Sequence, residues 1–216
     1  MRAKMPILPR RECKGDALVL SIRSGLGGLA LLALTGCKLA ADSPVRTPGF
    51  LPAAQWDHLP EGSAWTEATL RALESEGVPL VNTVPSDIEG FCPGYAAAAP
   101  AERRAFWVGF LSYAAKVESR WNPLAKGGGG RFKGLMQISD ATARANGCAA
   151  GAALLDGSQN LSCAVRILAR QVGEDGAVVG GGAPGWLGAA RDWLPFRKKS
   201  TRSELARWTS AQSYCR

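Results

Sequence analysis

The longest hydrophobic pattern in the chain predicts one central helix that begins at Pro100. Apolar residues recur there at helical spacing over about five turns. They are Phe106, Trp107, Phe110, Leu111, Ala114 and Val117. Glu118 stands four positions after Ala114 and therefore shares the inward-facing side of the helix. Pro123 ends the helix, because proline disfavours a helical conformation in the residue before it.

Shorter segments with helical spacing of apolar residues surround this central helix. They are 64–76, 140–146, 161–172 and 186–194. The pattern Thr201-x-x-Glu204 resembles a capping box and predicts the start of a last helix. Residues 78–99 are predicted to form a loop with at most a short strand at 80–83, and 176–185 a glycine-rich loop. The expected fold class is therefore mainly α.

Residues 1–36 are predicted to be a lipoprotein signal peptide. A basic run precedes an apolar stretch at 25–34, which is shorter than the about 20 residues needed to span a bilayer. The stretch leads into Leu-Thr-Gly-Cys37, which resembles the bacterial lipobox and implies a diacylglycerol on the cysteine. The mature chain is then lipid-anchored and faces the periplasm of a Gram-negative bacterium. Lys38 after the cysteine resembles the enterobacterial sorting pattern that favours the outer membrane. The alternative is an incidental cysteine beside a short anchor.

Residues 37–62 mix Ala, Pro, Ser and charges without periodicity, so they are predicted to be a lipidated N-terminus and linker before a single domain at 63–216. The net charge of +8 divides evenly, because the leader has six Lys/Arg against two Asp/Glu and the remainder twenty against sixteen. The mature chain is mildly basic, which suits an anionic polymer. A monomer with no nucleic-acid partner is expected.

His58 is the only histidine and lies in a proline-rich approach segment, which argues against Ser-His-Asp, Cys-His and histidine-rich metal sites. No cofactor or metal is expected. The body of the domain contains four cysteines: Cys92, Cys148, Cys163 and Cys215. An exported chain favours two disulfides, with three alternative pairings. We pair Cys148 with Cys163, whose loop closure contributes about 3 kcal/mol in the chain-entropy model, and Cys92 with Cys215 by elimination.

Glu118 has the surroundings of a general acid. Partial burial disfavours its carboxylate, and the C-terminal end of a helix carries about half a negative charge, so both effects raise its pKa. A carboxyl group that stays protonated near neutral pH can donate its proton to a leaving group, as the lysozyme glutamate does. Trp121, close to this acid, is the best candidate for stacking on a sugar ring.

Three short motifs together resemble the soluble lytic transglycosylase (SLT) family of lysozyme-like, murein-cleaving enzymes. They are Glu118-Ser119-x-x-Asn122-Pro123, Gly134-Leu135-Met136-Gln137-Ile138 and Asn160-Leu161-x-Cys163-Ala164-Val165. The resemblance covers roughly residues 90–215 and implies a single lysozyme-like domain with a glycan-binding cleft. It also implies cleavage of the MurNAc-GlcNAc β-1,4 bond of peptidoglycan with formation of a 1,6-anhydroMurNAc end.

The resemblance assigns roles residue by residue. Glu118 matches the sole catalytic acid, and Gln137 matches the residue that hydrogen-bonds the sugar. Met136 and Gly134 match positions that line the cleft, and Ser119 belongs to the same motif as the acid. With a single glutamate, the N-acetyl group of the substrate serves as internal nucleophile, an exception to the usual pair of carboxylates.

Two departures from the family pattern leave alternatives open. The loop at 126–133 has four glycines and lacks the serine usual before the second motif, so it either brings backbone N–H groups close to the glycan or is simply flexible. Asp192 stands where the family commonly has a tyrosine that contacts the acid. If Asp192 activates water, the enzyme is a hydrolytic muramidase, and the remaining alternative is a catalytically silent peptidoglycan-binding lipoprotein. The side chains of the basic run 197–199 either lie on a solvated face or attract the carboxylates of the stem peptide.

Overall fold

The computed structural model describes residues 51–182 and 185–216. The helices are α1 (Gly62–Glu74), α2 (Val78–Asn82), α3 (Pro100–Ser119), α4 (Asp140–Ala145), α5 (Gly157–Asp175) and α6 (Lys199–Ser210). The strands are β1 (Lys126–Gly127), β2 (Phe132–Lys133), β3 (Ile138–Ser139), β4 (Val179–Gly182) and β5 (Gly185–Gly188). This mainly helical fold with two small sheets confirms the predicted fold class. The predicted signal peptide and Cys37 lie outside the described residues.

The central position of α3 follows from its apolar periodicity. Every residue from Ala105 to Ala115 is buried, so other elements surround this part of the helix. Pro100 occupies the first turn, where a missing N–H leaves no intrahelical bond unmade. The carboxylate of Glu102 accepts a hydrogen bond from the backbone N–H of Ala99 at 2.9 Å. α1 packs along α5, and both α1 and α6 contact α3.

A small antiparallel sheet follows α3 directly. Its strand order is β1-β2-β3, with Lys126 opposite Lys133 and Phe132 opposite Ser139. Ser139 then caps α4, because its hydroxyl oxygen accepts a hydrogen bond from the N–H of Thr142 at 3.1 Å. The predicted helix at 140–146 is therefore confirmed at its start.

The last part of the predicted linker is packed on the domain. The ring of Trp56 is fully buried, and its indole N–H donates to the hydroxyl of Thr66 at 2.8 Å. The N–H of Gln55 donates to the hydroxyl of Ser112 on α3 at 2.9 Å. Isolated apolar residues in a proline-rich stretch gave no periodicity, which is why the sequence placed this segment outside the domain.

Residues 78–82 form α2, so the expected loop with at most a short strand at 80–83 is wrong. Pro79 lies in the first turn, where its fixed φ favours a helix. Leu80 and Val81 are buried. A five-residue helix is too short for periodicity to show it.

Residues 179–182 and 185–188 form two strands instead of the predicted loop and the first part of a helix at 186–194. β4 pairs antiparallel with β5. The carboxylate of Asp87 accepts from the N–H groups of Val178 and Val179 at 2.7 and 2.9 Å. The carboxylate of Asp175 accepts from the N–H of Gly188 at 2.6 Å. These side chains, from other elements, hold a segment that has little apolar pattern of its own.

The predicted capping box is also wrong, since α6 begins at Lys199 without a side-chain cap. Glu204 forms an ion pair with Lys116 of α3 at 3.0 Å instead. The two predicted disulfides are confirmed, as Cys148 bonds to Cys163 and Cys92 to Cys215. Within residues 51–182 and 185–216, no helix has the length and apolarity that a membrane crossing requires.

Candidate active site

The chain reverses direction immediately after Glu118. α3 ends at Ser119, and Arg120 and Trp121 both adopt left-handed backbone conformations, with φ of 55° and 59°. Each such non-glycine residue costs on the order of 1 kcal/mol or more, so the surrounding bonds must hold the turn. The N–H of Arg120 donates to the carbonyl of Lys116, and the N–H of Trp121 donates to that of Ala115. The indole N–H of Trp121 donates to the carbonyl of Ser112 at 2.8 Å.

The carboxyl group of Glu118 is half-buried. Burial raises its pKa from the ordinary 4.5 to about 7, which agrees in direction and in its first cause with the expectation from sequence. Within the described part of the chain, this carboxyl group makes no hydrogen bond or ion pair. With no partner to hold one protonation state, Glu118 can both donate and accept a proton near neutral pH.

Gln137 connects the turn between β2 and β3 to the segment that leaves α3. Its amide N–H group donates to the carbonyl of Gly134 at 2.9 Å and to that of Ala125 at 3.3 Å. A side chain at Gly127 would place its Cβ 2.3 Å from the amide oxygen of Gln137 and would force that amide to move. Gln137 is half-buried and has a left-handed φ of 46°.

Met136 does not line the cleft as the motif implied. Its side chain is fully buried in the core. Its N–H donates to the amide oxygen of Asn160 at 2.8 Å, and its carbonyl accepts from the indole N–H of Trp193 at 2.9 Å. Met136 therefore anchors the turn that carries Gln137 to the core of the domain.

Gly134 is likewise buried and belongs to the support of the same turn. Its φ is 77°, and a Cβ there would lie 2.1 Å from the carbonyl of Leu154 and 2.3 Å from the amide nitrogen of Asn160. Asn160 is fully buried and donates to the carbonyls of Lys133 and Leu154 at 3.0 and 2.9 Å. The sequence analysis assigned no role to Asn160. The available signal was an asparagine at the start of a helix with an apolar face, where a buried amide needs hydrogen-bond partners.

Ser119 and Trp121 have structural contacts of their own. The hydroxyl of Ser119 donates to the carbonyl of Ala115 at 3.1 Å. The Trp121 ring is half-buried and meets the ring of His58 edge-on, with 5.0 Å between centroids. The proline-rich approach segment therefore packs beside the turn that follows the acid.

Asp192 lies in a cavity of about 210 Å³ that Gln137 also lines. Its side chain is exposed, and its carboxylate accepts a hydrogen bond from the amide of Gln171 at 2.7 Å. Gln171 is buried, and in the described part of the chain its amide oxygen is a buried side-chain atom without a hydrogen-bond partner. The structure thus brings Asp192 and Gln137 together, and it adds Gln171, which the sequence did not single out.

A second cavity, of about 590 Å³, lies between the end of α3 and the start of α6. Val117 and Trp121 line it from the α3 side, and Pro195 lines it from the opposite side. Leu194, the residue before Pro195, lines the cavity of Asp192 instead. A third cavity, of about 410 Å³, is lined by residues of α1 and α5 beside the disulfide of Cys148, and none of the predicted cleft residues lines it.

The described ranges contain no cluster of three or more His, Cys, Asp or Glu side chains that could hold a metal ion. The family model "Transglycosylase SLT domain" matches residues 96–181. Among curated proteins, none is significantly similar to the chain.

Solved structures of Bd0314 DslA are similar to the chain. The wild-type protein and two variants, each with a different glutamate replaced by glutamine, all have 31% sequence identity and a TM-score of 0.70. The similarity covers 77% of this chain and all of the DslA chain.

Proposed function

This chain is a member of the transglycosylase SLT family, and we propose that it is a lytic transglycosylase acting on peptidoglycan. In this proposal it cleaves the β-1,4 bond between MurNAc and GlcNAc and leaves a 1,6-anhydroMurNAc end. The family consists of enzymes that cleave glycosidic bonds, and its substrate is peptidoglycan. The observation that carries the proposal is the half-buried, unpartnered carboxyl group of Glu118, whose pKa is raised to about 7.

The first step is proton donation by Glu118 to the glycosidic oxygen, which leaves with the GlcNAc-bearing strand. Burial keeps a large share of Glu118 protonated near neutral pH. No second residue is therefore needed to supply the proton. The N-acetyl oxygen of MurNAc attacks its own C1 as the glycosidic bond breaks, in the manner of substrate-assisted glycosidases.

The second step reverses the role of Glu118. Its carboxylate removes the proton of the C6 hydroxyl, O6 forms a bond to C1, and the N-acetyl oxygen leaves C1. The 1,6-anhydro ring closes and Glu118 is again protonated. A pKa close to the working pH suits both steps, since one residue must be an acid in the first and a base in the second.

Gln137 is proposed to contact the sugar through its amide. The support for this role is its half-buried position on a turn held rigidly by Gly134, Met136 and Asn160. A fixed polar group of this kind orients a substrate more effectively than a mobile one.

The second candidate is a hydrolytic muramidase in which Asp192 activates water. Its support is the position of Asp192 in the same cavity as Gln137. The products distinguish the two reactions, because transglycosylation leaves anhydro-muropeptides and hydrolysis leaves products one water heavier. Purified sacculi digested with the protein and analysed by mass spectrometry provide the test, and exclusively hydrated products would contradict the transglycosylase.

A catalytically silent glycan-binding protein is the third candidate. Glu118→Gln is nearly isosteric and removes the acid while keeping the shape of the site. If parent and variant clear sacculi equally well, the protein is not an enzyme that uses Glu118.

We also propose that the mature chain is a monomer, lipid-anchored at Cys37, in the periplasm and at the outer membrane. The support is the leader at 1–36 with its short apolar stretch and the lipobox-like Leu-Thr-Gly-Cys37. Incorporation of labelled palmitate into the parent but not into Cys37→Ser is the expected result. Equal labelling of both would contradict the anchor.

A further inference from the structure

The two disulfides of the domain differ in how a dissolved reagent can reach them. Cys92 and Cys215 are 0% and 1% exposed, so the folded chain shields their sulfur atoms. Cys148 is half-buried, and both Cys148 and Cys163 line the cavity of about 410 Å³ beside α1 and α5. A cavity of this volume can admit a small molecule. Of the two bonds, the one between Cys148 and Cys163 is therefore the accessible one.

An arginine lies beside the accessible disulfide. Arg166 lines the same cavity and follows Cys163 by three residues on α5, so the two side chains are neighbours on the helix. Its guanidinium group donates to the carbonyl of Gly147, the residue before Cys148, at 3.0 Å. It also pairs with Glu76 at 2.7 Å. A positive charge at this position stabilises a cysteine thiolate, which is the species released when the disulfide opens.

The disulfide closes the loop 148–163, which holds the turn at 134–137 in place. Asn160 belongs to this loop and accepts a hydrogen bond from the N–H of Met136 at 2.8 Å. Its amide nitrogen donates to the carbonyl of Leu154, in the same loop, at 2.9 Å. A displacement of the loop is therefore transmitted to the turn through the amide of Asn160.

The first half of the loop has little else to restrain it. Residues 149–153 are alanines and one glycine, and none of them is buried. Small, partly exposed side chains bury little apolar area, so packing stabilises this stretch weakly. The N–H of Gly151 donates to the carboxylate of Asp140 at 2.9 Å. The bond to Cys163 is therefore a principal restraint on the stretch that begins at Cys148.

We propose that Cys148–Cys163 is a site of thiol–disulfide exchange with small thiols, which enter through this cavity. The redox state of the bond then sets how firmly the turn at 134–137 is held. The oxidised protein has the braced turn that the structure shows, and the reduced protein has a looser one.

The exchange with a small dithiol proceeds in two steps. One thiolate of the reagent attacks Sγ of Cys148, the S–S bond breaks, and its electron pair leaves on Sγ of Cys163, which takes up a proton. The second thiolate of the reagent then attacks the reagent sulfur that is bonded to Cys148. The reagent closes its own disulfide, and Cys148 leaves as a thiolate and is protonated. Two electrons and two protons pass from the dithiol to the protein, and the reverse reaction restores the bond.

The first test measures which disulfide dithiothreitol reduces in the folded full chain. Free thiols are trapped with an alkylating reagent at successive times, and peptide mass spectrometry assigns each label to one cysteine. We expect Cys148 and Cys163 to be labelled at least about tenfold faster than Cys92 and Cys215. Equal rates for the two pairs would mean that reduction follows unfolding of the whole domain, and they would overturn the exchange site. Protection of both pairs until the chain is denatured would overturn it as well.

The second test asks whether reduction reaches the turn. Hydrogen exchange of the Met136 N–H should become roughly tenfold faster or more after reduction, because its acceptor on Asn160 lies in the opened loop. The N–H of Val178, which donates to Asp87 at 2.7 Å, lies outside that loop and should exchange as before. An unchanged rate at Met136, or an equal rise at both positions, would contradict the coupling.

A variant separates this bond from the buried one. Cys148→Ser combined with Cys163→Ala should show the fast exchange of Met136 without any reagent. Dithiothreitol should then change nothing further, whereas a further rise at Met136 would assign the effect to the other disulfide. The reduced parent keeps the test valid if the variant does not fold.

The effect on cleavage is the one part that rests on the proposed function, since it requires Gln137 to contact the sugar. We expect the variant to have a KM on sacculi about threefold or more above that of the parent, with kcat changed less than about twofold. An equal KM would contradict the effect on binding. If neither protein cleaves sacculi while labelling and hydrogen exchange behave as expected, the proposed function fails and the exchange site stands.

Discussion

The two carboxyl groups considered for the chemistry, those of Glu118 and Asp192, have opposite surroundings. Glu118, at the end of α3, is half-buried and has no partner among the described residues. Asp192, on the segment that follows β5, is exposed and accepts a hydrogen bond from Gln171 at 2.7 Å. Burial without a partner favours the protonated form of Glu118. The contrast makes Glu118 the candidate for proton transfer in the proposed reaction, whereas the carboxyl group of Asp192 is bound to a neighbouring amide.

Replacing Glu118 by Gln should have the largest effect. We expect a loss of roughly a thousandfold in the rate of product release from sacculi, in the range of general acid catalysis. The measurement is the rate of soluble muropeptide release. A loss of less than about tenfold would mean that another residue is the general acid. The comparison of Glu118 with Asp192 would then not concern catalysis.

The same variant has a stability signature that separates catalysis from folding. The pKa of Glu118 is raised from 4.5 to about 7 in the folded chain. Ionising it therefore costs more in the folded state than in the unfolded state, and its stabilising contribution, complete below pH 4.5, is lost as pH rises to about 7. Glu118→Gln should accordingly melt above the parent at pH 8, and the difference should vanish near pH 4. A variant that melts lower at both pH values has lost packing.

The pH dependence of the parent should give the next largest effect. Because the first step needs protonated Glu118, we expect activity to fall about tenfold per pH unit above a midpoint near 7. Initial rates on sacculi between pH 5 and about 9 at constant ionic strength provide the measurement. A profile that stays flat through pH 8 would show that the working acid is a different group.

The sequence predicted the helix α3 and the raised pKa of Glu118 because the information for both is local. The apolar spacing over Phe106 to Val117 and the stop at Pro123 define the helix, and an acid on its inward side is visible in the same pattern. Burial and the raised pKa of Glu118 follow directly from that position.

The segment that forms β4 and β5 was mispredicted because its structure depends on residues that are distant in the sequence. The glycine-rich strands at 179–182 and 185–188 are held by the carboxylates of Asp87 and Asp175. Motif matching alone could not show that Met136 points into the core, since a match states which residues occur and not which way their side chains face. The bond from Gln171 to Asp192 joins α5 to a loop, and neither residue carries a sequence signal for the other.

A buried hydrogen bond links Trp193 to the turn that carries Gln137, and breaking it should have an intermediate effect. The indole N–H of Trp193 donates to the carbonyl of Met136 at 2.9 Å, and both residues are buried. Trp193→Phe leaves that carbonyl without its donor, so we expect a loss of about 1–3 kcal/mol in the free energy of unfolding. Urea denaturation measures it, together with a modest rise in KM if the turn loosens.

Trp186→Phe is the matched control for that change. Trp186 is half-buried, and within residues 51–182 and 185–216 its indole N–H has no hydrogen-bond partner. We expect its effect on unfolding to stay within about 0.5 kcal/mol. Equal losses in the two variants would mean that ring volume, and not the bond to Met136, accounts for the loss.

Asp192→Asn should have the smallest effect. The asparagine oxygen can still accept the hydrogen bond from Gln171, so the geometry is kept while the negative charge is removed. If Glu118 performs both proton transfers, the rate should change by less than about threefold and the anhydro product should remain. If Asp192 activates water in the parent, hydrated products should disappear in the variant and the total rate should fall far more. Since the side chain of Asp192 is exposed and already accepts a hydrogen bond from Gln171, the small effect is the outcome that we expect.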